Sequence, residues 1–192
     1  MGFLDVIRGK RQIKQAAPTD RVFAMTTAQI TLDMQLGLKS TGKAAICFQP
    51  LATADFEQIV RDMEEVVRSA GSDTGTTIEV SDDDFGYRWM VLSDPDFEDL
   101  VVGLNAVNSA LRDGGYADRV LAAVFPFRDE KGQAVDFIYN IKRAAYYPFV
   151  TKDGTAQARD NERELRLKAQ LERDLPLEQD LGRWFPLWGA PI

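Results

Sequence analysis

Residues 81–100, SDDDFGYRWMVLSDPDFEDL, gather the carboxylates Asp82, Asp83, Asp84, Asp94, Asp96, Glu98 and Asp99. Oxygen ligands at that density suit a hard cation, and Asp84-Phe85-Gly86 spells the triplet that holds magnesium in protein kinases. Tyr87 and Arg88 beside them would suit a small anionic ligand or a carboxylate-dependent enzyme. The surrounding sequence supports neither named motif. A kinase needs a glycine-rich loop and a histidine-containing catalytic loop, and this chain has no histidine. An EF-hand with Gly86 at its fixed sixth position would put Phe85 and Leu92 where acids belong. Asp-rich residues followed by glycine are also what a tight strand connection uses. On that reading Asp94 caps a helix, Pro95 opens its first turn, and Asp96, Glu98 and Asp99 complement the helix dipole.

The missing histidine excludes Ser-His-Asp and Cys-His catalysis as well as imidazole ligation. The lone cysteine, Cys47, sits in AAICF, an apolar run that predicts a packed core thiol rather than a nucleophile. GLKSTGKA (37–44) approaches a phosphate-binding loop through Gly37, Gly42 and Lys43. However, Ala44 stands where a magnesium-binding hydroxyl is needed, and the segment joins a helix to a strand rather than the reverse. No catalytic residue, cofactor or metal is therefore expected.

Net charge is −7, yet Arg8, Lys10, Arg11, Lys14 and Arg21 outnumber Asp5 and Asp20 in the first 21 residues. So acidic a body is a poor match for nucleic acid. The segment MGFLDVIRGKRQIKQ places Phe3, Leu4 and Ile7 among Arg8, Lys10, Arg11 and Lys14. That arrangement could lie on an anionic membrane or an acidic coiled coil, or fold onto its own domain. No apolar run is long enough to span a bilayer, and no signal peptide is evident. A single cysteine agrees with a cytoplasmic protein.

Hydrophobic periodicity supplies the elements that would position these residues. TDRVFAMTTAQITLDMQLG predicts a helix from an N-cap at Thr19 to Gly37, and KAAICFQP a strand closed by Pro50. In the next segment Phe56, Ile59, Val60, Met63, Val66, Val67 and Ala70 form one apolar stripe on a helix capped by Thr53 and ended by Gly71, all read as core. Two strands, near 76–80 and 86–92, flank the acidic turn. A second amphipathic helix (94–115) carries Phe97, Leu100, Val101, Leu104, Val107 and Leu111. RVLAAVFPF and AVDFIYNIK read as a hairpin around Asp129-Glu130-Lys131-Gly132, YYPFV as a short strand, and 158–175 as a solvated helix that lies on the domain by a narrow apolar stripe.

TADFEQIVRDMEEVV and DPDFEDLVVGLNAVN align at an offset of 41 residues, which is compatible with a duplicated αββ unit. The expected fold is α+β: two layers, a mixed or antiparallel sheet of about five to six strands with helices on one face. Extra N- and C-terminal helices are expected, and 43–128 also fits a ferredoxin-like βαββαβ. The chain divides into a basic arm (1–18), a single domain (19–175) and an aromatic strap (176–192). In the strap, RWFPLWGAPI places Trp184, Phe185, Leu187, Trp188 and Ile192 among two prolines and a glycine, so it is extended. It either packs back on the sheet or offers Trp184, Phe185 and Trp188 to a partner. A peptide-binding face built from Tyr139, Tyr146, Tyr147 and Phe149 is a further alternative.

MGFLDVIRGK, TGKAA, QIVRDMEE, GYRWMVLSDPDFEDLVVGLNAV, ERELRLKAQL and RWFPLWG together resemble the PspA-associated PspAB family, and they are spread over nearly the whole chain. The resemblance implies a non-enzymatic cytoplasmic accessory of PspA, the coiled-coil protein that coats stressed membrane. It carries over no catalytic residues. Function is thus expected to lie in protein–protein contacts, with the arm and the strap as candidate surfaces.

Overall fold

In a computed structural model, residues 20–152 and 157–192 are described, with the backbone alone for 20 and 70–74. The arm residues Phe3, Leu4, Ile7, Arg8, Lys10, Arg11 and Lys14, and the proposed cap Thr19, lie outside the described residues. The chain enters through a 3-10 turn, Asp20–Phe23, into α1 (Ala24–Leu36), which Gly37 ends at φ 63. That left-handed backbone is open to glycine without a Cβ penalty. There follow β1 (Lys39–Ser40), β2 (Lys43–Phe48), α2 (Ala54–Thr74), β3 (Thr77–Asp82), β4 (Arg88–Ser93), α3 (Phe97–Asp113), β5 (Val120–Arg128), β6 (Ala134–Asn140), β7 (Ala145–Val150) and α4 (Asn161–Leu171).

The strands form one seven-stranded antiparallel sheet in the order β3-β4-β2-β5-β6-β7, with the short β1 pairing β5. Taken alone, β2-α2-β3-β4-α3-β5 in that order is the ferredoxin-like βαββαβ arrangement, and β6 and β7 extend it as a meander. The fold is therefore α+β, as periodicity predicts. The expected strand count falls short by β1, whose two residues are too few to leave a pattern.

The sheet buries both faces. Met25, Ala28 and Leu32 of α1, Phe56, Val60 and Met63 of α2, and Leu100, Leu104 and Val107 of α3 pack on one face with Ile46, Met90 and Phe125. Leu167 and Leu171 bring α4 onto the same core by the narrow apolar stripe that periodicity predicts, with its other face toward solvent. On the opposite face Cys47, Trp89, Val91, Val124, Tyr147 and Phe149 lie beneath the C-terminal segment.

Two helix boundaries differ from expectation. α2 runs past Gly71 to Thr74, because one glycine costs only about 1 kcal/mol inside a helix that is held by its packed face. α3 is capped by Asp96, whose carboxylate accepts from the Glu98 amide at 2.8 Å, and not by Asp94. Asp94 is 4% exposed instead: it accepts from the Thr76 hydroxyl and, at 2.7 Å, from the Asp96 amide. It thus ties the start of β3 to the entry of α3.

The two sheet edges are built differently. Along β7 the outward amides of Tyr146, Val150 and Lys152 donate to Pro176 O, the Glu164 carboxylate and Ala158 O, while Pro148 has no amide to offer. Glu164 is 2% exposed and takes a two-pronged hydrogen bond from Arg159 at 2.9 and 2.8 Å. That edge is closed to further strand pairing. β3 forms the other edge and carries the exposed Thr77, Glu79, Ser81 and Asp82.

Candidate interaction surfaces

The acidic segment resolves into a turn and four carboxylates with structural partners, Asp82, Asp83, Asp94 and Asp96. Asp83 accepts from the Phe85 and Tyr87 amides and from the Trp89 indole, all at 2.9 Å. Partial burial works against its charge, but those donors and the Gly86 amide hold its carboxyl below the usual range. Gly86 closes the turn at φ 81, a left-handed conformation that side chains disfavour. Arg88 spends its whole fork on protein carboxylates. Nε and Nη2 reach Asp82 at 2.7 and 3.1 Å, and Nη1 reaches both Glu57 oxygens at 3.1 and 3.0 Å. The hydrogen bond from Arg88 is also the main reason the Asp82 carboxyl is depressed. The guanidinium clamps α2 to the β3-β4 hairpin, and Tyr87 lies at the half-exposed rim of the turn. Among the described residues, no cluster of carboxylates or thiols is arranged to hold a metal.

The C-terminal strap lies on the sheet. Trp184 is 5% exposed, donates its indole N–H to Glu178 O at 3.1 Å and stacks on Tyr147 at 6.0 Å. Trp188 meets Phe149 edge-on at 4.9 Å. The Tyr147 hydroxyl donates to Phe185 O, and Arg159 donates to Trp184 O at 2.6 Å. Of the three strap aromatics offered to a partner by sequence, Trp184 is therefore interior, Trp188 half-buried, and Phe185 alone exposed, at 59%. Tyr139, Tyr146, Tyr147 and Phe149 are all buried, so they present no peptide-binding face. Between strap and sheet remains a cavity of about 330 Å³, lined in part by Lys43, Arg128, Asp136 and Trp188. Burial there pushes the Asp136 carboxyl up to about 6, against the opposing charge of Arg128.

A surface that sequence reading missed runs between α2 and α3. Ile59, Met63, Val66 and Val67 form one wall, and Ala106, Val107, Ala110 and Gly114 form the other, enclosing about 280 Å³ with Asp62 on the rim. Val66 is 64% exposed and Val102, one turn before Ala106, is 49% exposed. The furrow exists because α3 presents small residues where α2 passes. At Gly114 an added Cβ would meet Ile59 Cδ1 at 2.4 Å, so the tip of that isoleucine already takes the space the glycine leaves. The signal in the sequence was the width of the α2 stripe. Seven apolar positions exceed what one face buries against a sheet and a single neighbouring helix, and Val66 is left facing water.

Among the described residues, no helix is long and apolar enough to cross a membrane. Neither the curated proteins nor the solved structures contain a match to this chain. One family model does match, described as PspA associated protein B, and it covers residues 1–192. The chain belongs to the PspAB family of PspA-associated proteins.

Proposed function

We propose that this protein is a non-enzymatic accessory of the PspA membrane-stress machinery, working in the cytoplasm at the inner face of the membrane through protein–protein contacts. The observation that carries this reading is a solvent-open apolar groove between two helices, in a chain whose whole length matches a family defined by association with PspA. A furrow bounded by Val66, Ile59 and Ala106 is the shape that accepts the apolar face of an amphipathic helix, with anchors at i, i+3, i+4 and i+7. A coiled-coil partner consists of such faces. Asp55, Asp62, Glu64 and Glu65 along α2 favour a helix with basic flanks.

The reading as a ligand-binding domain or carboxylate enzyme would need Tyr87, Arg88 and the nearby acids to face an open site. Arg88 is held instead by Asp82 and Glu57, which supports the adaptor. Co-purification with the PspA-type protein of the same cell under envelope stress, followed by crosslinking, tests the proposal. The expected result is a direct complex with crosslinks mapping to α2 and α3. Recovery of the protein alone, carrying a bound metabolite, would overturn it.

A further inference from the structure

We propose that the cavity between the strap and the sheet binds a free α-amino acid with an apolar side chain, its carboxylate toward Lys43 and Arg128 and its ammonium toward Asp136. The site lies on the face of the sheet opposite the α2/α3 groove, so its occupancy and helix docking do not exclude each other.

The strands place the charges. Side chains alternate across β2, so Lys43 shares the strap face with Ala45 and Cys47. Asp136 of β6 stands between Pro126 of β5 and Phe149 of β7, and all three line the cavity. Arg128, two residues beyond Pro126, joins them. The next row inward, Val124, Ile138 and Tyr147, is wholly apolar and lies beneath Trp184. The strand β5 separates β2 from β6, so the backbones carrying Lys43 and Asp136 stand about 10 Å apart. Pro126 and Ala134 are too small to fill the space between these charges, and the cavity of about 330 Å³ remains.

The charges are also left without protein partners. Among the described residues, Lys43, Arg128 and Asp136 form no ion pair, and Arg128 donates to the Gly132 carbonyl at 3.1 Å. By contrast, Arg88, Arg143, Arg159 and Arg163 are each spent on a carboxylate. Desolvation raises the Asp136 carboxyl to about 6 against the opposing charge of Arg128, so the group is still ionised at pH 7.5. An anion alone would be repelled by Asp136, and a cation alone by Lys43 and Arg128. One molecule carrying both charges satisfies all three groups. An α-amino acid has that pairing, and Trp188, Leu187 and Phe149 supply an apolar wall for its side chain. A volume of about 330 Å³ is at the small end of ligand cavities, which suits a single amino acid.

Isothermal titration calorimetry of the full chain at pH 7.5 tests this. The titrants are L-leucine and L-phenylalanine, the N-acetyl and amide derivatives of each, and phosphatidylethanolamine vesicles. The expected result is saturable one-to-one binding of at least one free amino acid. Both of its capped derivatives should bind about tenfold more weakly or worse, because each leaves a charge of the site unpaired. Asp136→Asn should weaken the free acid about tenfold or more and bring it level with the N-acetyl derivative. Lys43→Gln, at an exposed position where the fold is not at stake, should weaken the free acid and the N-acetyl derivative alike and spare the amide. No saturable heat with either amino acid, capped derivatives that match the free acid, or affinity that survives either substitution would overturn the proposal. So would binding seen with the vesicles alone, whose headgroup carries the same two charges as part of a lipid. No titrant is a PspA-type partner, so failure here leaves the proposed function standing.

Discussion

The strap side of the sheet and the α2/α3 groove invert what composition suggests. The strap has the aromatic content of a docking surface, yet Trp184 and Trp188 are spent on Tyr147 and Phe149. Apart from Asp62 on its rim, the groove is lined by valine, isoleucine, methionine, alanine and glycine, yet it remains open to water. The difference lies in what covers each apolar surface. An extended segment broken by Pro186, Gly189 and Pro191 can lie flat across a sheet and seal it. Two helices packed side by side leave a furrow wherever their facing residues are too small to fill it, and Ala106 and Ala110 are too small. Aromatic density marks apolar area to be buried, and the covering element decides whether that area is available to a partner.

The contrast can be broken most strongly at Trp184. If the strap is core, Trp184→Ala should cost about 3–5 kcal/mol in urea unfolding, with a matching fall in the midpoint. A change under about 1 kcal/mol would make the strap a loosely held surface. The next effect is pH-dependent. Asp136 lies under the strap with its carboxyl raised from 3.8 to about 6, so folding favours its neutral form. Its contribution is complete below about pH 4, declines as pH rises through 6, and is flat above. Wild-type stability relative to Asp136→Asn should therefore drop by roughly 1–3 kcal/mol between pH 4 and pH 7.5. Parallel pH profiles would show that the carboxylate is hydrated and the strap cavity open.

The smallest stability effects belong to the groove. Val66→Ser should change unfolding free energy by about 0.5 kcal/mol or less, because the side chain is already 64% exposed. It should nevertheless weaken binding of a partner helix. A large loss of stability would mean that Val66 is buried in solution and the furrow closed. Phe185→Ser should be equally mild in stability and should leave partner binding unchanged.

Much of the architecture was legible because periodicity is strong where an element has one buried face. The stripes of α2 and α3, the strands from β2 to β7, and the hairpin turns at Gly86 and Gly132 could be read from spacing and turn chemistry. The echo of Asp55-Phe56-Glu57 in Asp96-Phe97-Glu98 proved harder to use. Phe56 and Phe97 both turn inward, but Thr53 caps α2 two residues before its Asp, whereas Asp96 is itself the cap of α3. After α2 comes the edge strand β3, while after α3 comes β5 beside β2, so the interleaved unit of the sheet is βαβ rather than αββ. The Asp94 role was illegible because its partner, the Thr76 hydroxyl, lies 18 residues earlier, just before β3. The groove was illegible for a similar reason. A single helix's stripe does not say how wide its neighbour is, and the small residues of α3 become a furrow only once α2 is laid beside them.

Titration of the PspA-type protein of the same cell against wild type, Val66→Glu and Phe185→Ser, read by calorimetry, addresses the central claim most directly. With the groove as the docking surface, Val66→Glu should weaken binding about tenfold or more, which corresponds to about 1.4 kcal/mol, and Phe185→Ser should match wild type. Binding that survives Val66→Glu but is lost in Phe185→Ser would contradict the account and move the contact to the strap.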